Sequence, residues 1–383
     1  MDAMNENRLA AARRVVIKIG SSLLTEVDDG SLREDWLAAL AEDIAAWRSR
    51  HREVVVVSSG AIAVGRRALG ITGATLKLEE KQACAAVGQI RLAHAYQAAL
   101  DRHGITVAQV LLTLEDSEHR RRYLNARSTI DQLLGMNALP LINENDTVAT
   151  AEIRFGDNDR LAARVAQMAS ADVLVLLSDI DGLYTADPAH DTGAERLEEI
   201  TAITPEIEAM AGGSRNYEGS GGMITKLAAA RITTGAGCHM VIAKGAASHS
   251  LRDLEQGAAC TWFVAAGEPR TARKHWIAGT LQPQGALVID DGAARALARG
   301  RSLLPAGVAV AEGRFERGDL VLVRDHEGRE LGRGLCAYGS EDAARIAGHK
   351  SREIEYILGY RGREEMIHRD DLVLVLDTSG ENR

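Results

Sequence analysis

Residues 139–159 read LPLINENDTVATAEIRFGDND, an apolar run that passes straight into amides and carboxylates. Leu139, Pro140, Leu141 and Ile142 predict a buried parallel strand with Asn143, Glu144, Asn145 and Asp146 at its C-terminal end, which is where open α/β sheets bind ligands. A short strand over Glu152–Phe155 follows, then Gly156-Asp157-Asn158-Asp159 opens a helix-like run from Arg160 to Ala169. Either cluster alone reads as a turn or an N-cap, because Asp and Asn oxygens satisfy the free N–H groups of a helix's first turn. Two clusters so close in sequence, both at strand ends, could surround a cationic group, orient lysines or hold a divalent metal.

Working outward from this stretch, the preceding chain repeats the theme of a buried strand with a polar end. Val15–Ile19 is apolar except for Lys18, and Gly20-Ser21-Ser22 follows at once. A lysine near the end of a strand buried on both faces is costly unless an anion meets it, and a glycine-led turn lets backbone N–H groups approach phosphate. Neither common nucleotide signature, G-x-G-x-x-G or G-x-x-x-x-G-K-[ST], is present. Ser31–Arg50 predicts an amphipathic helix with Leu32, Trp36, Leu40, Ile44 and Trp47 in the core. Glu53–Val57 is a second buried strand ending in Ser58-Ser59-Gly60, small enough for a ligand to reach the backbone. Lys81–Leu100 predicts a long helix and Ile105–Leu112 a strand. Arg120–Tyr123 reads as a solvated charge run before a helix over Leu124–Leu133.

Beyond residue 159, Ala171–Leu177 is the most apolar strand, and Ser178-Asp179-Ile180-Asp181-Gly182 follows it. Gly219-Ser220-Gly221-Gly222-Met223-Ile224-Thr225-Lys226 then leads into a helix over Leu227–Thr234. Glycines ahead of a helix N-terminus make an anion site, and a lysine there opposes the macrodipole unless an anion is bound. Cys238–Ala243 is another strand, and Thr261–Val264 is expected to close the sheet.

From Gly267 to Pro283 the pattern lapses into basic and polar residues, which read as a linker. Short apolar runs at Ala286–Ile289, Gly307–Val310, Asp319–Val323 and Asp371–Val375 then alternate with turns, with short helices at Gly292–Arg299 and Glu341–Ile346. That texture predicts a small, mostly β barrel.

The chain has 383 residues, 46% hydrophobic and 26% charged, enough for two or three folded domains. With 4% aromatics it favours helix-on-sheet packing over a β sandwich. Its net charge of -9, and 15 Lys or Arg against 18 Asp or Glu from Gln284 onwards, give no basic footprint for nucleic acid. The widely spaced Cys84, Cys238, Cys260 and Cys336 are expected to be reduced and buried, without a metal site. Neither a signal peptide nor a run of eighteen apolar residues is present, so a cytoplasmic protein with no membrane span is expected.

In order, VVIKIGSSLLT, VVVVSSGAIAVG, KQACAAVGQIRL, LNAR, LINENDTVATAE, FGDND, SDIDGLYTADP and SGGMITKLAAA resemble the glutamate 5-kinases of the amino acid kinase family. SLLPAGV, FERGDLV and RIAGHKS resemble the PUA domain that many bacterial members carry. The resemblance implies an amino acid kinase domain over residues 12–266, an open, mostly parallel sheet sandwiched by helices. A linker at 267–283, a mostly β PUA barrel at 284–367 and a tail at 368–383 would follow. It implies ATP-dependent phosphorylation of the γ-carboxylate of L-glutamate in proline biosynthesis, with Mg²⁺, inhibition by proline and a dimer or tetramer. By motif, Lys18, Lys226 and Asp159 would be catalytic, Asp159 orienting the two lysines. Ser59, Asp146 and Asn158 would bind glutamate. Lys18, Gly20, Ser178, Asp179 and the segment Ser220, Gly221, Gly222, Met223, Ile224, Thr225 and Lys226 would bind ATP. Ser178 and Ser220 depart from the threonine common in the family, and both keep a hydroxyl.

Other classes make different demands. A kinase acting on acetylglutamate, aspartate, carbamate or UMP would share the nucleotide half and differ around Ser59 and residues 143–159; for UMP the acidic acceptor loop is a poor match. A dinucleotide oxidoreductase would need an acid ending the second strand, where Ser58-Ser59 stand. RNA binding rests on the C-terminal barrel alone, and the net charge disfavours it.

Overall fold

In the computed structural model, which describes residues 8–26, 30–72, 75–148, 157–211, 222–269, 271–272 and 282–374, strand β1 (Arg14–Ile19) lies fourth in an eight-stranded sheet. Its composition explains the central place. Val15, Ile17 and Ile19 enter one hydrophobic cluster and Val16 the other, so both faces are covered and the run is apolar but for Lys18. The order is β3-β4-β2-β1-β5-β7-β8-β6, with β2 at Glu53–Val57, β3 at Val107–Leu112, β4 at Leu139–Glu144 and β5 at Val173–Ser178. Strands β6 (Glu199–Ile200), β7 (His239–Lys244) and β8 (Cys260–Phe263) complete the sheet. All pairings are parallel except β7 with β8.

On one face lie helices α1 (Glu34–Ser49), α2 (Ala61–Ala68) and α3 (Leu78–Asp101), burying Trp36, Trp47, Leu92 and Tyr96. On the other lie α4 (Arg120–Gly135), α5 (Asp157–Ala169) and α6 (Met223–Gly235), burying Ile130, Leu161, Val165 and Leu227. The alternation of each strand therefore sorts its side chains between two dry layers. Helices α2 and α3 cross at glycines. A Cβ at Gly65 would stand 1.7 Å from the Cys84 carbonyl oxygen, and one at Gly88 1.7 Å from that of Ala61. Only glycine permits this approach. It fixes the Ser58–Gly60 turn, at the start of α2, against the middle of α3.

Residues 1–269 form one compact unit and 270–383 a second. The second has its own five-stranded sheet, order β10-β9-β11-β12-β13, from β9 (Gly285–Ile289), β10 (Val308–Gly313), β11 (Leu320–Arg324), β12 (Glu330–Leu335) and β13 (Leu372–Leu374). Leu287, Val321, Val323, Ile346 and Met366 are among its buried core, under α7 (Asp291–Ala298), α8 (Ser340–Ile346) and α9 (Ile354–Leu358).

Several expectations shift. The charge run Arg120–Tyr123 is the first turn of α4 and not a preface to it, since arginine is a good helix former. Thr261–Val264 does not close the sheet; the short β6 pairs outside β8 and holds the edge. Helix α6 begins at Met223, ahead of the expected Leu227. Strand β12 and helix α9 were not expected. All four cysteines are free and buried. The expected strand Glu152–Phe155, together with Gly156, Ser220 and Gly221, lies outside the described residues.

Candidate active site

Four strand ends and two helix starts converge at the C-terminal edge of the sheet. Lys18 is the penultimate residue of β1 and shares the α5/α6 face with Val16, two positions earlier. Asp159, 0% exposed, projects from the first turn of α5 beneath it. The Lys18 ammonium forms an ion pair with Asp159 Oδ1 at 2.7 Å. Lys226 Nζ, from the first turn of α6, donates to Oδ2 at 3.3 Å, and Thr225 Oγ1 donates to the same oxygen at 2.9 Å. Burial pushes the Asp159 carboxyl up, but the charges of Lys18 and Lys226 and the Thr225 bond outweigh it and hold the group below the ordinary carboxylate range. One carboxylate thus ties together two ammonium groups from opposite walls. Since two positive charges meet one negative, the cluster keeps a net +1 toward any anion that enters.

A second cluster lies between β2 and β4. Gly60, in the left-handed region at φ 94°, turns the chain from β2 into α2 and leaves Ser59 at the strand end. Asn158 Nδ2 donates to Ser59 Oγ at 2.8 Å, while its own Oδ1 is buried without a donor among the described residues. Ser59 Oγ, accepting that bond, retains its own proton for a ligand. Asp146 is buried just past β4, and desolvation pushes its carboxyl up to about 6 against the opposing pull of a hydrogen bond with Gln89.

Gln89 was not foreseen. It is buried on α3, one residue past the Gly88 crossing, where its Nε2 donates to the Glu144 carbonyl at 3.0 Å. Its Oε1 accepts from Asn143 Nδ2 at 3.3 Å and from Gln109 Nε2 at 3.2 Å. Gln89 lies within the family-like phrase KQACAAVGQIRL, but a glutamine in an Ala-rich helix suggests no role by itself; that role appears only when α3 is laid against β4.

Ser178 ends β5, and its hydroxyl donates to Asp179 Oδ1 at 2.8 Å. Gly20 follows β1, and a Cβ built there would lie 3.6 Å from the Leu177 carbonyl oxygen. Gly222 precedes α6, whose first residues are the half-buried Met223 and the exposed Ile224. The structure therefore brings Lys18, Asp159, Thr225 and Lys226 into contact, joins Ser59 to Asn158, and puts Asp146, Ser178, Asp179, Gly20 and Gly222 at the same edge. Chemically this is a cationic centre beside a small polar recess with one raised carboxyl.

Residues 13–244 match the amino acid kinase family, and residues 285–358 match the PUA domain. The chain is 65% identical over 366 residues to the glutamate 5-kinase of Paramagnetospirillum magneticum, covering 96% of this chain and 99% of that protein. It is 61% identical to the glutamate 5-kinase of Rhodospirillum rubrum (94% and 96% covered) and 59% identical to that of Agrobacterium fabrum (97% and 95%).

Proposed function

This chain belongs to the amino acid kinase family, and on that premise we propose how its residues carry out the reaction of its glutamate 5-kinase relatives. The activity is ATP-dependent phosphorylation of L-glutamate, in proline biosynthesis. The observation that carries the residue assignment is the pair of lysines held on Asp159, beside the Ser59–Asn158 pair.

The γ-carboxylate of glutamate is ionised at neutral pH, so it attacks phosphorus without a general base. The obstacle is repulsion between two anions, and catalysis reduces to alignment and charge neutralisation. Lys18 and Lys226 meet the transferring phosphoryl oxygens, and Asp159 keeps the two ammonium groups at a fixed separation. Thr225, bonded to Asp159, locks the rotamer of that carboxylate. Ser178, Asp179, Gly20 and the start of α6 from Gly222 form the nucleotide side.

On the acceptor side, ionised Asp146 takes the α-ammonium group, Ser59 donates its hydroxyl proton to the α-carboxylate, and the open Oδ1 of Asn158 accepts from the ammonium N–H. Proline presents the same carboxylate and a charged amine, so it competes for these groups and inhibits. Mg²⁺ has no protein cage among the described residues, which contain no cluster of three metal-ligating side chains, and both oxygens of Asp159 face ammonium groups. The residues present do not fit a protein-held ion.

Hydroxylamine trapping of the acyl phosphate, run alongside ADP release, tests the reading. With L-glutamate the expected result is a hydroxamate, suppressed by proline and lost in Lys226→Ala. Turnover of L-aspartate, N-acetylglutamate or UMP in place of glutamate would move the acceptor assignment while leaving the kinase.

A further inference from the structure

The sheet register places one further lysine beside the nucleotide. In the parallel pairing of β5 with β7, Ser178 stands opposite Lys244, the last residue of β7. Leu174 and Leu176 on β5, and Met240 and Ile242 on β7, all enter the cluster on the α5/α6 face. Two-residue alternation carries Ser178 and Lys244 onto that face too, the one from which Lys18 reaches Asp159 and above which α6 presents Lys226. Lys18 on β1 stands opposite Leu176 on β5, so Ser178 and Lys244 lie one alternation farther toward the C-terminal ends of their strands, each strand about 4.8 Å from the next.

Lys18 and Lys226 are buried and share an anion. Lys244 is exposed, and among the described residues it forms no ion pair. At this corner the Gly245 N–H donates to the Ser178 carbonyl at 2.7 Å, pinning the end of β7 to Ser178. The net +1 of the inner cluster leaves most of a triphosphate's charge unmet, and the chain distal to the transferring phosphoryl must extend away from Lys18 and the acceptor recess. Past Ser178, Lys244 is the next cation in that direction.

Resting on the kinase reading above, we infer that Lys244 is a third nucleotide-binding lysine, whose ammonium meets the α-phosphate of the nucleotide. The leaving-group charge grows on the β-phosphate while the α-phosphate changes little, so this contact acts equally on ground and transition states. It sets nucleotide affinity and leaves the chemical step alone.

The test is calorimetric titration of ADP and adenosine into the full-length protein, its Lys244→Gln, Lys244→Glu and Lys244→Arg variants, and Lys226→Ala as reference, with circular dichroism to check folding. The Kd for ADP should rise about threefold in Lys244→Gln and about tenfold in Lys244→Glu, a difference that shrinks as salt is raised. Lys244→Arg should match the unaltered protein, and adenosine should bind all Lys244 variants alike. In kinetics, KM for ATP should follow the ADP affinities, with KM for glutamate and kcat unchanged. If the unaltered protein binds ADP and the affinity in Lys244→Glu stays within about twofold of it, Lys244 lies off the phosphates and the kinase reading survives. Equal weakening of ADP and adenosine would also overturn the phosphate contact. Failure of the unaltered protein to bind any nucleotide would remove the nucleotide site itself, and Lys244's role with it.

Discussion

Asp159 is the residue on which the chemistry turns, because it is fully buried and two ammonium groups depend on it. Asp159→Asn strands both charges in a low-dielectric setting, and removing one partner of such a pair costs about 3–5 kcal/mol. Urea unfolding should show that loss, and saturating ADP should recover more stability in the variant than in the parent, since its phosphates take the place of the missing carboxylate. Asp146 presents the opposite case. Its carboxyl is raised to about 6 in the folded protein, above its unfolded value, so its contribution to stability is full at low pH and is lost as pH rises through about 6. Asp146→Asn should therefore raise stability at pH 7.5 by up to about 2 kcal/mol while abolishing glutamate binding. In the parent, kcat/KM for glutamate should fall about tenfold per pH unit below 6 and level off above 7; a flat profile from pH 5 to 7 would rule Asp146 out as the ammonium partner. At this scale the sequence was informative wherever a polar residue interrupted or ended an apolar strand, as with Lys18, Ser59 and Asp146. Gln89 and Lys244 stayed hidden because a helix glutamine and a terminal lysine mean nothing until their neighbours across the fold are known.

The crossing of α2 and α3 is the element on which the acceptor recess is built, with Ser59 on one side of it and Gln89 on the other. Gly88→Ala drives a methyl group into the Ala61 carbonyl, and the helices must part. A stability loss of about 3 kcal/mol, seen as a lower urea midpoint, is expected together with a raised KM for glutamate and little change in KM for ATP. Elements were legible in proportion to how fully they are buried. β1, β2, β5 and β7 have cores covered on both faces and show as apolar runs, broken in β1 by Lys18. β12, ELGRGL, has two glycines and alternating polar groups, and its strand conformation comes from pairing with β11 and β13. β6 is two residues long and exists only because β8 offers an edge.

Across the whole chain, every residue given a part in the reaction lies within 1–269, and the second unit has a hydrophobic core of its own. Two unfolding transitions are therefore expected in calorimetry, with added nucleotide shifting one alone. A gel shift with tRNA at physiological salt should show no complex, given the net charge of -9. The change of texture after Gly267 was visible because composition shifts there. The order of strands was not, since sequence names the strands but not their neighbours. That order has a consequence for the making of the protein. β1 leaves the ribosome well before β5, yet it finishes beside β5 in the middle of the sheet, and Arg14 N–H bonds to Asp172 across 158 residues of chain. At ordinary rates of translation that partner emerges roughly 10–30 s later. For that interval the nascent chain carries an apolar strand with one flank uncovered, so slowing the ribosome before residue 178 should lengthen the exposure and increase the demand for chaperones.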